Sequence, residues 1–310
     1  MTSDWFAERT YRWQDWDLPA LLAAKEHTGT TVSLVVPARN EAATVGSVVS
    51  RVRTALMETV SLLDEIVVID SDSDDSTFVA AEDAGAQVFR AREIRPDLGM
   101  TGGKGEAMWK SLFVTAGDVL VFMDADLLDW DTHFVPGLLG PLLSSSEIAL
   151  VKGFYERPFT TVERAYAYEG GRVTELVARP LIALHFPELA GLVQPLAGEW
   201  AVRRSLFESL RVPTGYAVEL AALVDTARTL GAQAIAQVDL GRRAHRHQAL
   251  RDLGAMATQL MAAVEARVRP DADLGTEVVL RQYSHGCEAM QPHDRIVRVG
   301  ERPPARTVAR

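Results

Sequence analysis

Two acids one residue apart, Asp124 and Asp126, end the unbroken apolar run Val119-Leu-Val-Phe-Met123. Carboxylates that close repel one another and are costly to strip of water unless a cation or hydrogen-bond donors neutralise them. A hard divalent cation does so directly, and the same cation grips phosphate oxygens. Asp124-Ala125-Asp126 therefore reads as a metal and nucleotide-diphosphate site, with a solvated turn carrying two acids as the plain alternative. Its placement favours the first reading. A continuous apolar run of this length predicts a parallel strand buried on both faces, and in open α/β sheets ligands bind beyond the carboxyl ends of the strands.

Further loops carry groups suited to the same chemistry. Pro37-Ala38-Arg39-Asn40-Glu41 follows an apolar strand and could offer backbone amides and Glu41 to a nucleoside, or form only a turn in which Asn40 caps the next helix. Asp70 closes a second strand, where a carboxylate could accept from a base or ribose. Most of the other acids at 72–75 read as solvated helix-start residues that favour the helix dipole. Gly102-Gly-Lys104-Gly105 opens a helix with flexible backbone and a point charge, which suits an anion, although the Walker spacing is absent. Gly170-Gly171-Arg172-Val-Thr174 repeats this logic with a guanidinium and a hydroxyl, a cradle for phosphate or carboxylate unless it is an ordinary glycine-started helix. In Arg242-Arg243-Ala-His245-Arg246-His247, an imidazole could complete a metal's ligand set; His245 is the first candidate and His247 the second.

The elements that must position these loops follow from periodicity. Apolar strands at 32–37, 64–69, 86–89 and 119–123 alternate with helical patterns from 45, 77 and 104. That alternation predicts a doubly wound, mostly parallel sheet flanked by helices. Beyond Asp126 the pattern loosens: a strand at 148–152, a helix from 170, a strand ending near Asp239, and an amphipathic helix over Leu253–Val268. Trp5, Trp13 and Trp16 lie among charges without clear periodicity, in an arm that covers the domain or a partner subunit.

The whole chain sets outer bounds. Its 310 residues, 47% hydrophobic, suffice for one large α/β domain or two small ones. With 32 basic against 42 acidic residues the net charge is −10, which argues against a nucleic-acid or anionic-membrane surface. Cys287 is the single cysteine, so no intramolecular disulfide exists and a reducing compartment fits. No secretory signal and no apolar run of the ~20 residues needed to span a membrane is present, and a cytoplasmic location is expected.

Taken in order, Pro-Ala-x-Asn-Glu, Asp-Ser-x-Ser-x-Asp, Gly-Lys-Gly and Asp-x-Asp resemble the GT-A glycosyltransferases. Gly171-Arg-Val-Thr-Glu-Leu-Val-Ala-Arg-Pro180, with Gln194-Pro-Leu-Ala-Gly-Glu199, Gly215-Tyr-Ala-Val-Glu219 and Ala244-His-Arg246, is similar to the actinobacterial glucosyl-3-phosphoglycerate synthases, over about residues 30–260. The resemblance implies a Rossmann-like GT-A domain and a retaining transfer of glucose from UDP-glucose to the 2-hydroxyl of 3-phosphoglycerate. Mg²⁺, or alternatively Mn²⁺, is the implied cofactor, and a homodimer the implied assembly. Another hydroxy-acid or phosphorylated acceptor, or a non-catalytic sugar-nucleotide module, are the competing readings. Pro37, Ala38, Arg39, Glu41, Asp70, Ser71, Lys104, Ala125, Tyr216 and Arg243 would serve the donor. Asp124, Asp126 and His245 would hold the metal and diphosphate, with Asp126 and His245 as direct ligands. Glu219 would face the glucose hydroxyls, and Asp126, Glu219 and Lys104 would carry the chemistry. Gly171, Arg172, Thr174 and His247 would bind the acceptor. The implied division is an arm (1–30), a nucleotide-sugar half (31–150), an acceptor half (151–300) and a flexible tail (301–310). This chain departs from the family's usual pattern at Ala125 and at His247-Gln248, where the family reads Ser and Asn-Arg, and its segment before Gly170 is shorter. The His247-Gln248 change bears on acceptor identity.

Overall fold

The computed structural model describes residues 3–156, 171–243, 250–271, 273–285 and 290–308. Its strands are β1 (Thr10–Arg12), β2 (Val32–Ala38), β3 (Glu65–Asp70), β4 (Gln87–Arg90), β5 (Val119–Phe122), β6 (Leu150–Glu156), β7 (Trp200–Arg203), β8 (Val212–Pro213), β9 (Ile235–Arg242), β10 (Glu277–His285), β11 (Met290–Arg298) and β12 (Glu301–Arg302). Eight of them form one sheet in the order β1-β9-β6-β7-β5-β2-β3-β4. Every neighbouring pair runs parallel except the two made by β7, which is antiparallel to β5 and β6. The expectation that the 119–123 run pairs in parallel holds toward β2 and fails toward β7.

That single reversal matters for the site. Strands β2, β3, β5, β6 and β9 all deliver their carboxyl ends to one edge of the sheet, while β7 delivers its amino end there. Leu120 and Phe122 enter the core on one face; Val119, Val121 and Met123 enter the core on the other. Burial on both faces is what selected an unbroken apolar run at the centre of the sheet.

The amino-terminal arm belongs to this sheet. Its β1 extends the edge beside β9, Trp5 is buried and donates its indole N–H to the Ala232 carbonyl at 2.9 Å, and Trp16 lies flat over Gly140, where a Cβ would stand 2.2 Å from the indole. The helix Leu18–Thr28, capped by Asp17, has no counterpart in the sequence reading because its apolar residues do not segregate to one face.

Two differences concern the C-terminal end. The tail expected to fray is tied down: β12 pairs with β8, Arg302 makes a two-pronged ion pair with buried Glu106 at 2.7 and 2.6 Å, and the Trp109 indole donates to the Pro303 carbonyl. The hairpin β10–β11 has no counterpart in the sequence pattern either. Its inner side leans on the helix Leu250–Val268, through Arg295 to Asp252 and Gln282 to the Arg251 carbonyl. Among the described residues no helix is long and apolar enough to cross a membrane.

Candidate active site

At the carboxyl edge, Asp124 lies between two cations. Lys104 Nζ stands 2.6 Å from Asp124 Oδ1 and 2.7 Å from Glu219 Oε1. Arg243 Nη2 reaches Asp124 Oδ2 at 2.8 Å and Asp126 Oδ1 at 3.4 Å. Its Nη1 donates to Glu199 Oε2 at 3.1 Å and to the Tyr155 hydroxyl. Each partner arrives from a different element. Lys104 begins the helix Lys104–Ser111, Glu219 lies in the first turn of the helix Val218–Leu230, Glu199 precedes β7 and Arg243 follows β9.

The electrostatics divide the acid pair. Burial raises the pKa of Asp124, but Lys104 and Arg243 outweigh it and hold this carboxyl well below the usual range. Asp126 moves the other way: burial and the neighbouring Asp124 charge push it up, and Arg243 offsets this only in part. Burial would also strip Lys104 of its proton, yet Asp124 and Glu219 keep it charged far above its ordinary value. Asp126, with a third of its side chain exposed (33%), is thus the acid left short of positive charge. Its oxygens suit a hard divalent cation, which would relieve the repulsion from Asp124. Among the described residues no third His, Cys, Asp or Glu joins the pair to make a ligand set. His245 and His247, the expected ligand and acceptor contact, lie outside the described residues.

Beside Asp126 opens a cavity of about 280 Å³, lined by Pro37, Ala38, Arg39, Glu41, Ser71, Gly103, Lys104, Asp124, Ala125, Asp126 and Tyr216. The loops after β2, β3 and β5 meet the start of the Lys104 helix there, at the place where strand order reverses about β2.

Residues 33–210 match the family model for glycosyl transferase family 2. The chain belongs to that glycosyltransferase family. It is 43% identical to a glucosyl-3-phosphoglycerate synthase of Mycolicibacterium smegmatis, over 98% of each chain. A crystal structure of the Mycobacterium tuberculosis glucosyl-3-phosphoglycerate synthase with Mn²⁺, uridine diphosphate and phosphoglyceric acid superposes with a TM-score of 0.85 at 42% identity, covering 97% of this chain and 99% of that one. A mannosyl-3-phosphoglycerate synthase from Rubrobacter xylanophilus superposes with a TM-score of 0.91 at 38% identity over the whole of both chains. At these identities the likeness extends through the sheet and its flanking helices, and the GT-A fold is that of this glycosyltransferase.

Several expected donor contacts are arranged differently in this glycosyltransferase. Asn40 does not cap a helix; it sits at φ +58° and its side-chain carbonyl accepts from the Asp74 amide. The amides of Asn40, Glu41 and Ala42 are taken by Ser73, Thr77 and Asp75, so this loop offers a nucleoside its other groups. The acids at 72–75 are therefore not merely solvated: Asp75 ties one loop to the other. Asp70 is buried, accepts from Ser73, and does not line the cavity.

The glycines of 102–105 also serve a purpose other than an open anion cradle. The amides of Gly105 and Glu106 donate to the Gly215 and Thr214 carbonyls. A Cβ on Gly105 would stand 1.8 Å from the Pro213 carbonyl oxygen. These glycines admit the 213–216 loop against the helix start, which places Tyr216 on the cavity wall, and Lys104 alone supplies the charge. Gly171, Arg172 and Thr174 lie at the start of the helical turn that includes Thr174–Ala178; Thr174 is buried and none of the three lines the donor cavity.

Three buried polar residues at the site escaped the sequence reading: Lys152, Tyr155 and Glu199. Lys152 left a signal, a lone cation at the end of the apolar run Ile148–Val151. Glu199 stands in the sequence only as the last residue of Gln194-Pro-Leu-Ala-Gly-Glu199, where no local pattern marks a role for it.

Proposed function

We propose that this glycosyltransferase moves glucose from UDP-glucose to the 2-hydroxyl of 3-phosphoglycerate with retention of anomeric configuration, giving glucosyl-3-phosphoglycerate. The observation that carries the reading is the divided acid pair: Asp124 saturated by Lys104 and Arg243, and Asp126 under-neutralised beside a cavity of about 280 Å³. Asp126 would hold Mg²⁺, or Mn²⁺ in its place, with His245 as the second protein ligand. The bound cation acts as a Lewis acid on the diphosphate.

The remaining roles belong to the chain itself. Pro37, Ala38, Arg39, Glu41, Ser71 and Ala125 form the wall for the uridine part, and Tyr216 and Glu219 border the sugar. Lys104, charged throughout the physiological range, offsets negative charge as it develops on the leaving diphosphate. Asp124 and Glu219 are tied to cations, which makes them poor nucleophiles and disfavours a covalent two-step route. Attack from the same face then follows: the bond from the anomeric carbon to UDP breaks, the bond to the acceptor oxygen forms, and the acceptor's proton passes to the leaving phosphate. Gly171, Arg172, Thr174 and His247 would hold the acceptor's phosphate and carboxylate. The enzyme would work in the cytoplasm, as a homodimer.

The test is product analysis by mass spectrometry. UDP-glucose or a nucleotide-linked mannose is supplied with Mg²⁺ and 3-phosphoglycerate, glycerate, phosphoenolpyruvate or buffer alone. Glucosylated 3-phosphoglycerate as the dominant product is the expected result. Product from the mannose donor alone would overturn the donor assignment, and product with glycerate alone the acceptor assignment.

A further inference from the structure

The segment Gln194-Pro-Leu-Ala-Gly-Glu199 supplies none of the residues that line the donor cavity, yet it is fastened more heavily than a connecting loop requires. Gln194 is buried and pairs with the backbone of Tyr155 in both directions, its Nε2 donating to the Tyr155 carbonyl at 2.6 Å and its Oε1 accepting from the Tyr155 amide at 3.4 Å. The buried Lys152 ammonium donates to the Ala197 carbonyl. The Gly153 amide donates to the Glu199 carbonyl at 2.9 Å. Three residues of β6 thus clamp the segment along its length.

What the clamp holds is the underside of the acid pair. A Cβ on Gly198 would lie 2.1 Å from Asp124 Oδ2, so the bare backbone here presses on that carboxylate. One residue on, the fully buried Glu199 grips Arg243 at 3.1 Å and shares the Tyr155 hydroxyl with it. Arg243, only 4% exposed, has few other ways to hold its guanidinium toward Asp124 and Asp126. Because β7 runs against its neighbours, its amino end brings Glu199 to the carboxyl edge, a place that a fully parallel sheet would leave to a strand's end.

We propose that Gln194–Glu199 is the rigid floor of the metal–diphosphate site, and that Glu199 is a positioning residue acting through Arg243 to set the Asp124 and Asp126 carboxylates. This rests on the donor-site reading given above. Glu199 is fully buried and lines no part of the donor cavity, so its effect on binding should pass through Arg243.

A double-mutant cycle reads this directly. UDP binding in the presence of saturating Mn²⁺ is measured by calorimetry for the wild type, Glu199→Ala, Arg243→Ala and the double variant. Glu199→Ala is expected to weaken UDP about tenfold, and the double variant to bind no worse than Arg243→Ala alone, because residues acting as a unit are non-additive. Glu199→Gln keeps the shape and one acceptor, should cost about threefold, and carries the test if the alanine variant does not fold. Losses that multiply in the double variant, or normal UDP binding by folded Glu199 variants while Arg243→Ala is weak, would overturn the proposal alone. Normal UDP binding by Arg243→Ala would overturn the donor-site reading and the proposal with it.

Discussion

Asp124 and Asp126 differ by one residue in sequence and by opposite electrostatics in the fold. Asp124 is neutralised by Lys104 and Arg243, whereas Asp126 keeps a charge deficit facing the cavity. Asp126→Asn keeps the volume and removes the anionic oxygen, so turnover should fall on the order of several hundred-fold. Metal titration of the activity should show a weaker and lower curve; an unchanged half-saturation would remove Asp126 from the ligand set. Lys152 makes a second prediction at this scale. Burial and the nearby Lys104 charge push it down to about 8, against Glu219, Glu199 and Asp124, which pull it up. Between about pH 8 and its unfolded value of 10.5 the unfolded chain binds more protons at this residue. Stability from this group therefore rises with pH across that window, and the charged form costs about 3 kcal/mol below it. Lys152→Met removes that cost and orphans the Ala197 carbonyl, for a net gain of about 2 kcal/mol at pH 7. Urea unfolding at pH 7 and pH 9.5 should show the gain shrinking at the higher pH.

At the scale of elements, the helix Lys104–Ser111 is the hub of the site. Its first residue supplies Lys104, its glycines seat the 213–216 loop, and Glu106 and Trp109 anchor the C-terminal tail. The tail is therefore a brace behind the active site. Arg302→Ala would leave Glu106, which is 1% exposed, as a buried carboxylate stripped of its guanidinium partner and held by the Thr101 amide. Breaking a buried pair by removing one partner costs about 3 kcal/mol or more. A urea midpoint within error of the wild type would show that the tail frays after all. The sequence could not signal this brace, because a Pro- and Arg-rich ending reads as solvated until its partner, 196 residues earlier, is known.

For the whole molecule, the outer face of β10–β11 bears on assembly. Val279, Tyr283, Met290 and Ile296 are all more than half exposed there. The charges among them are already matched across the strands, Arg281 with Asp294 at 2.7 Å and Arg298 with Glu277 at 3.6 Å. In a chain of net charge −10, such a neutral apolar face is where a second copy could approach without charge repulsion. Light scattering should give twice the chain's 33.9 kDa, and Val279→Asp with Ile296→Asp should return a monomer. A wild-type mass of one chain would refute the homodimer.

The sequence by itself determined the alternating strands and helices, the Asp124-Ala125-Asp126 turn at a buried strand's end, and Lys104 at a helix start. Each of these is written in contiguous residues, as period, propensity or turn chemistry, so local reading reaches it. Only the tertiary structure decided which acid is neutralised, why the 102–105 glycines are needed, and that Glu199, Lys152 and Tyr155 stand behind the site. Those outcomes depend on side chains from β5, β6, β7 and β9 converging after the chain has crossed the sheet several times. The antiparallel β7 that brings Glu199 to the carboxyl edge follows from packing between strands far apart in the chain, which no local pattern encodes.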